Sequence, residues 1–190
     1  MKLTKGTIGI IAAVVVIAMW AASAYNSMVS EQENATTALA NVQSAYQRRA
    51  DLIPNLVQTV KGYASHEKET LEGVVNARSK ATSITLNAEN IKEYQQAQGE
   101  LSSALGRLIA IGEAYPDLKA NENFRELQVQ LEGTENRINV ERNNFNKAVQ
   151  TYNVAIRKFP SNLLAGIFGF EKMDKFEAAA GSENAPKVEF

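Results

Sequence analysis

Apolar positions in this chain fall into two patterns: one near-continuous run, followed by several stripes. Residues 6–30 carry no charged side chain, and Ile8 to Trp20 is almost unbroken Ile, Val, Ala and Met. At about 1.5 Å per helical residue, Gly6 to Tyr25 covers roughly 30 Å, the thickness of a bilayer's hydrocarbon core. The pattern predicts a short N-terminus over 1–6 and a membrane-spanning helix over 7–25. Lys2 and Lys5 precede this run and the next basic residue is Arg48, so the positive-inside rule puts the N-terminus in the cytoplasm and the rest outside. Trp20 and Tyr25 suit the outer interface. A basic start and the small triplet Ala22-Ser23-Ala24 also fit a cleaved signal peptide. Against cleavage, the run is long and nothing between Ala12 and Arg49 would break a helix. Gly9 with Ala13 and Ala18 with Ala22 form small-xxx-small pairs that would let two spans approach closely, though alanine-rich segments produce such pairs by chance.

Beyond the span the apolar residues become periodic. Met28, Ala35, Leu39, Val42, Tyr46, Ile53, Leu56, Val60 and Tyr63 recur at threes, fours and sevens, with Arg49 the one interruption. This is the seam of a helix packed in a coiled-coil-like bundle. Leu71, Val74 and Ile84 continue it weakly, while Gly62, Ser65 and Gly73 lower helix propensity. Residues 31–86 therefore read either as one very long helix or as two antiparallel helices with a turn near 62–66. Pro54 removes one backbone donor and crowds the carbonyl of Ala50, which predicts a kink. A further helix over 89–114 uses Tyr94, Ala97, Leu101, Leu105, Leu108 and Ile111 and must stop before Pro116. The cleanest stripe, over 119–158, runs Phe124, Leu127, Leu131, Ile138, Phe145, Val149, Tyr152, Ile156 and Phe159. Short links between long helices favour antiparallel neighbours. The fold class expected is all-α: an N-terminal transmembrane helix followed by an antiparallel four-helix bundle over 26–160.

The last segment differs. Phe159-Pro160-Ser161-Asn162 ends one helix and restarts another, leading into LLAGIFGF. In an up-down-up-down bundle this stretch returns to the level where the span ends. Leu163, Leu164, Ile167, Phe168 and Phe170 are therefore candidate membrane-proximal contacts within an amphipathic segment over 161–176, meeting lipid or a neighbouring subunit. The alternative is that they cap the bundle core. Residues 177–190 read as a flexible tail with a short docking peptide from Pro186 to Phe190.

Composition sharpens the functional reading. The 190 residues are 45% apolar and 22% charged, as in a folded protein, and only 7% are aromatic, which disfavours an all-β architecture. Cysteine is absent and histidine occurs once, at His66, so thiolate metal sites, cysteine nucleophiles and di-iron sites needing two histidines are excluded. No HExxH, GxSxG or phosphate-binding glycine loop is present, and His66-Glu67 reads as a solvated pair near a turn. The expectation is no catalytic residue, no metal and no cofactor. With 20 basic and 21 acidic side chains the net charge is −1, which gives no reason to expect nucleic acid as a partner.

Polar residues beside the stripes are more unusual. Arg48, Arg49, Asp51 and Asn55 flank the first stripe; Glu135, Asn136, Asn139, Arg142, Asn146 and Asn153 flank the last. If residue 31 is level with residue 157 in antiparallel packing, positions near 49 are level with positions near 139. That register predicts a partly buried network that sets helix alignment, with Arg49 near Glu135 and Asp51 near Arg142. The alternative is ordinary solvated helix faces.

At QRRADLIPNLVQTVKGYASHE (residues 47–67) the sequence resembles the LemA family. The resemblance continues through Tyr25-Asn26, Ala77-Arg78, EAYPDLKANENFRELQVQLEGTENRI (113–138), ERNNFNKAVQTYNVAIRKFP (141–160) and APKVEF (185–190). It implies a single-pass protein of the bacterial inner membrane with an extracytoplasmic helical bundle and no established enzymatic activity. Some relatives are linked to magnetosome membranes, and members often accompany membrane proteases. The expectations are therefore a non-enzymatic scaffold that self-associates or organises membrane proteins at the bilayer, or an accessory adaptor of a membrane protease. The partners expected are the lipid bilayer, further copies of the chain, and a membrane protease or other membrane protein.

Overall fold

The computed structural model describes residues 5–177, and all regular structure among them is helical. The helices are α1 (Lys5–Tyr63), α2 (Lys68–Ser83), α3 (Ile91–Ala114), α4 (Pro116–Ala120), α5 (Glu122–Arg157) and α6 (Ser161–Phe168). The described residues divide into two compact units, one of residues 5–52 with 127–173 and one of residues 53–126 with 174–177.

In the first unit α1 and α5 run antiparallel. Met28 of α1 packs with Tyr152 and Ile156 of α5, whereas Arg49 meets Glu135. The reason is visible in the spacing of buried positions. Met28, Ala35, Val42 and Arg49 follow one another at seven residues along α1, and Leu131, Thr134, Ile138, Glu141, Phe145, Val149, Tyr152 and Ile156 follow at threes and fours along α5. Each stripe stays on one side of its helix, so the two close into a single seam. Burying a large side chain such as Phe145 or Tyr152 contributes about 1.5–3 kcal/mol.

In the second unit α2 and α3 form an antiparallel hairpin. Lys80 pairs with Glu100 at 2.7 Å, and Tyr115, just past α3, donates to Glu67, just before α2, at 3.1 Å. The turn expected near 62–66 is present: α1 stops at Tyr63, and the Glu67 amide bonds back to the Ala64 carbonyl at 3.1 Å. Residues 31–86 are therefore two helices. Helix α1 continues through Pro54. Asn87 and Asn90 prepare the start of α3 by each accepting the other's backbone N–H at 2.9 Å, the local bonding that asparagine favours at turns. The sequence pattern did not indicate α4. Pro116 opens this five-residue helix, and Asn121 then caps α5 by accepting the Phe124 amide at 3.0 Å.

Helix α6 is shorter than the 161–176 segment expected. It ends at Gly169, whose φ of 74° is left-handed, a conformation that costs least without a Cβ. Residues 170–177 then run without helix. The flexible tail expected over 177–190 and its docking peptide lie outside the described residues, apart from Glu177.

A close approach within the second unit supplies a test. Any Cβ on Gly112 would fall onto the Phe124 ring, whereas Gly106, on the same helix, has open space around it. Gly112→Ala should lower stability by about 1–3 kcal/mol through overpacking. Gly106→Ala should be neutral or stabilising by up to about 1 kcal/mol. Thermal unfolding followed by circular dichroism distinguishes them, and equal effects would contradict this packing.

Candidate functional site

Among the described residues, α1 is the one helix long and apolar enough to cross a membrane, and no part of its apolar window is buried by the rest of the chain. Ile8, Ile10, Ile11, Val14 to Ile17 and Met19 all stand exposed. Where this stretch ends, α6 closes on it. Tyr25 meets Phe168 edge-on with ring centroids 4.9 Å apart, and Phe170 at 5.7 Å, both within the favourable range for T-shaped aromatic pairs. Beneath them Met28, Tyr152, Ile156 and Ala165 form a buried cluster, with Leu164, Phe170 and Met173 partly buried against it.

The five apolar residues of this segment therefore divide. Leu164 and Phe170 face inward and complete the core, while Leu163, Ile167 and Phe168 are 59%, 75% and 55% exposed. Helix geometry explains the division. Leu163 and Ile167 lie about 160° around α6 from buried Ala165, in opposite senses. Two side chains of α5 hold the chain after α6 in place. The Tyr152 hydroxyl donates to the Glu171 carbonyl at 2.8 Å. Asn153 grips the Met173 backbone twice, donating to its carbonyl at 2.9 Å and accepting its amide at 3.0 Å. Burial, followed by the nearby Glu171 charge, raises the Tyr152 pKa above its ordinary value.

Farther along the same seam lies a polar cluster. Arg49 is 2% exposed although it occupies a seam position. Its Nη1 donates to Glu135 at 2.8 Å, and its guanidinium carbon stands 5.2 Å from the centre of the Tyr46 ring, close enough for a cation–π contact. Arg142 also acts on the Tyr46 hydroxyl, its charge and hydrogen bond opposing the rise in pKa that burial causes. A buried cation costs several kcal/mol in desolvation unless paired, and here one carboxylate and one aromatic face offset that cost.

The other polar candidates are placed differently. Asp51 does not join Arg142; it is exposed and accepts from Gln47 at 2.7 Å, one turn back on its own helix. Two residues along a helix turn about 200°, so Asp51 and Arg49 cannot share a face. Arg48, Asn55 and Asn139 are exposed, and Asn146 is half-buried. Sequence reasoning missed Tyr46 as a polar partner and Glu141, which is buried and holds Arg137 at 2.7 Å. The signal for Glu141 was its position on the three-four alternation of α5. A groove of about 680 Å³ on the same unit is lined by Asn41, Ser44, Arg48, Gln130, Thr134 and Arg137. His66 is exposed in the turn before α2. Among the described residues no three His, Asp or Glu side chains gather where they could hold a metal ion.

Two outcomes follow from the polar cluster. Glu135→Ala leaves a buried cation without its carboxylate and should cost about 1–3 kcal/mol, the lower part of the range for a broken buried pair because Glu135 is half-exposed. Arg49→Met should cost less, since it removes the charge along with its need for a partner. Urea unfolding of both variants checks this, and a larger loss for Arg49→Met would reverse the interpretation. The second outcome concerns pH. Burial raises the Tyr46 pKa above its ordinary 10.0, with Arg142 and Arg49 opposing. The folded chain thus holds this proton more tightly than the unfolded chain, so the stability it contributes is complete below about pH 10 and is lost as pH rises through the folded value. The urea midpoint should fall above that pH, less steeply in Tyr46→Phe. Some fall persists because Tyr115 and Tyr152 are shifted in the same direction.

Comparison with known proteins places these features in a family. The chain resembles magnetosome protein MamQ of Magnetospirillum gryphiswaldense, at 29% identity over 180 residues, covering 83% of this chain and 66% of that protein. MamQ 2 of Paramagnetospirillum magneticum is also 29% identical, over 175 residues, with 80% and 64% covered. Protein LemA of Metamycoplasma hominis is 27% identical over 154 residues, with 81% and 67% covered. The chain thus spans slightly less than two thirds of the length of the magnetosome proteins. The profile of the LemA family matches residues 38–190, which include the Arg49 cluster, Tyr152, Asn153 and α6, and the chain belongs to the LemA family.

Proposed function

We propose that this protein is a membrane-anchored, non-enzymatic helical organiser of the bacterial inner membrane. It self-associates or gathers other membrane proteins around an extracytoplasmic four-helix bundle, with its N-terminus in the cytoplasm. The observation that carries this reading is the continuity of α1. One helix, Lys5–Tyr63, contains both the apolar stretch and the buried seam. Nothing flexible separates the span from the packed seam of the first unit, so a lateral arrangement of spans in the bilayer is imposed on the parts outside it. Charge asymmetry supports the orientation, because Lys5 precedes the apolar run and no basic residue follows until Arg48. The magnetosome name of two relatives supports a role on a membrane.

Particle size tests the proposal. Full-length protein extracted in mild detergent should elute as a homomeric particle of several copies by light scattering, with the N-terminal segment intact by mass spectrometry. A monomer that co-purifies with a membrane protease would favour the adaptor role and sink the scaffold. A mature chain beginning near Tyr25 would remove the anchor.

A further inference from the structure

We infer that α6 is a second membrane contact: its outward face, Leu163 and Ile167 with Phe159 and Phe168 beside them, sits in the lipid interface next to the span. The inference rests on the anchor reading above and adds a lipid site outside the span. Leu163, Ile167 and Phe168 are 59%, 75% and 55% exposed on a helix, SNLLAGIF, that carries no charge, and Phe159, two residues before that helix, is 82% exposed. A helix facing water would place polar side chains there. On α6 the face opposite buried Ala165 is Leu163 and Ile167 instead, apolar side chains of the kind that mark a membrane or partner surface.

The location selects lipid as the occupant. Phe168 and Phe170 pack on Tyr25, which follows the uncharged run of residues 6–24 directly. The patch is thus continuous with the surface that faces the hydrocarbon core, at the depth where aromatic residues such as Trp20 and Tyr25 concentrate. Charge agrees with this placement. Arg157 and Lys158 precede α6 and Lys172 follows it; all three are exposed, and Glu171 is the one acidic residue between them. An apolar face bordered by cations is the composition of an interfacial helix, whose basic residues reach headgroup phosphates while its apolar side chains enter the acyl boundary.

The chain lacks cysteine, so single substitutions in the full-length protein take one nitroxide label each. Leu163→Cys and Ile167→Cys would be labelled and reconstituted into vesicles of phosphatidylethanolamine and phosphatidylglycerol. Ile11→Cys in the span serves as the lipid reference, and Asn136→Cys on exposed α5 as the water reference. Collisions with oxygen should exceed collisions with a water-soluble nickel chelate several-fold at Leu163→Cys and Ile167→Cys, as at Ile11→Cys, with the ratio inverted at Asn136→Cys. Nickel access at both α6 positions, with Ile11→Cys still in lipid, would overturn this inference and leave the anchor intact. Nickel access at Ile11→Cys would overturn both. Exclusion of both reagents from α6, with spectral broadening relieved by unlabelled protein, would assign the face to a second copy and overturn the lipid contact.

Discussion

The alignment of α1 with α5 depends on one guanidinium placed where an apolar residue belongs. Met28, Ala35, Val42 and Arg49 occupy successive seam positions seven residues apart, and all are buried. A cation in that row is tolerated only where a carboxylate comes level with it, and Glu135 does so at 2.8 Å. Sliding α5 by one seam repeat would bring Gln128 or Arg142 to that level instead. The first offers no charge and the second repels. Apolar packing between two such stripes would be nearly indifferent to a seven-residue shift, so the charge pair supplies the discrimination that the greasy positions lack. A buried pair of this kind adds little net stability but makes a misaligned seam costly.

Much of this was legible in the sequence. Because the seam repeats at threes and fours, helix positions and the breaks near residues 64 and 115 follow from apolar spacing and from glycine and proline placement. Antiparallel register arithmetic is enough to bring Arg49 to Glu135. It failed for Asp51, because the arithmetic gives a level along the helix and ignores the angle around it. Arg48 and Asn55 missed the cluster for the same reason. Both α4 and the chain after Gly169 were opaque for a different reason. The chain after Gly169 is held by individual bonds such as Asn153 to Met173 and Gln95 to Glu177, and a side chain gripping irregular backbone leaves no periodic trace; α4, at five residues, is too short to show a helical period. Leu164 and Phe170 turn inward onto the Met28–Tyr152 cluster, a placement that composition alone cannot reveal.

The two ends of the α1–α5 seam are built differently. Around Arg49 the contacts are polar and directional, whereas around Met28 they are apolar and aromatic, with sulfur and ring packing that adapts to small shifts. Directional contacts therefore lie away from the apolar stretch, and adaptable packing is kept beside it.

The unbroken passage of α1 from the apolar run into the Arg49 row has a mechanical consequence. A helix resists twisting about its own axis, so rotation of the apolar stretch cannot be absorbed by a joint before the seam begins. It arrives as torque on a row of interlocking side chains, and the Arg49–Glu135 pair becomes the tooth that must either turn with that stretch or disengage.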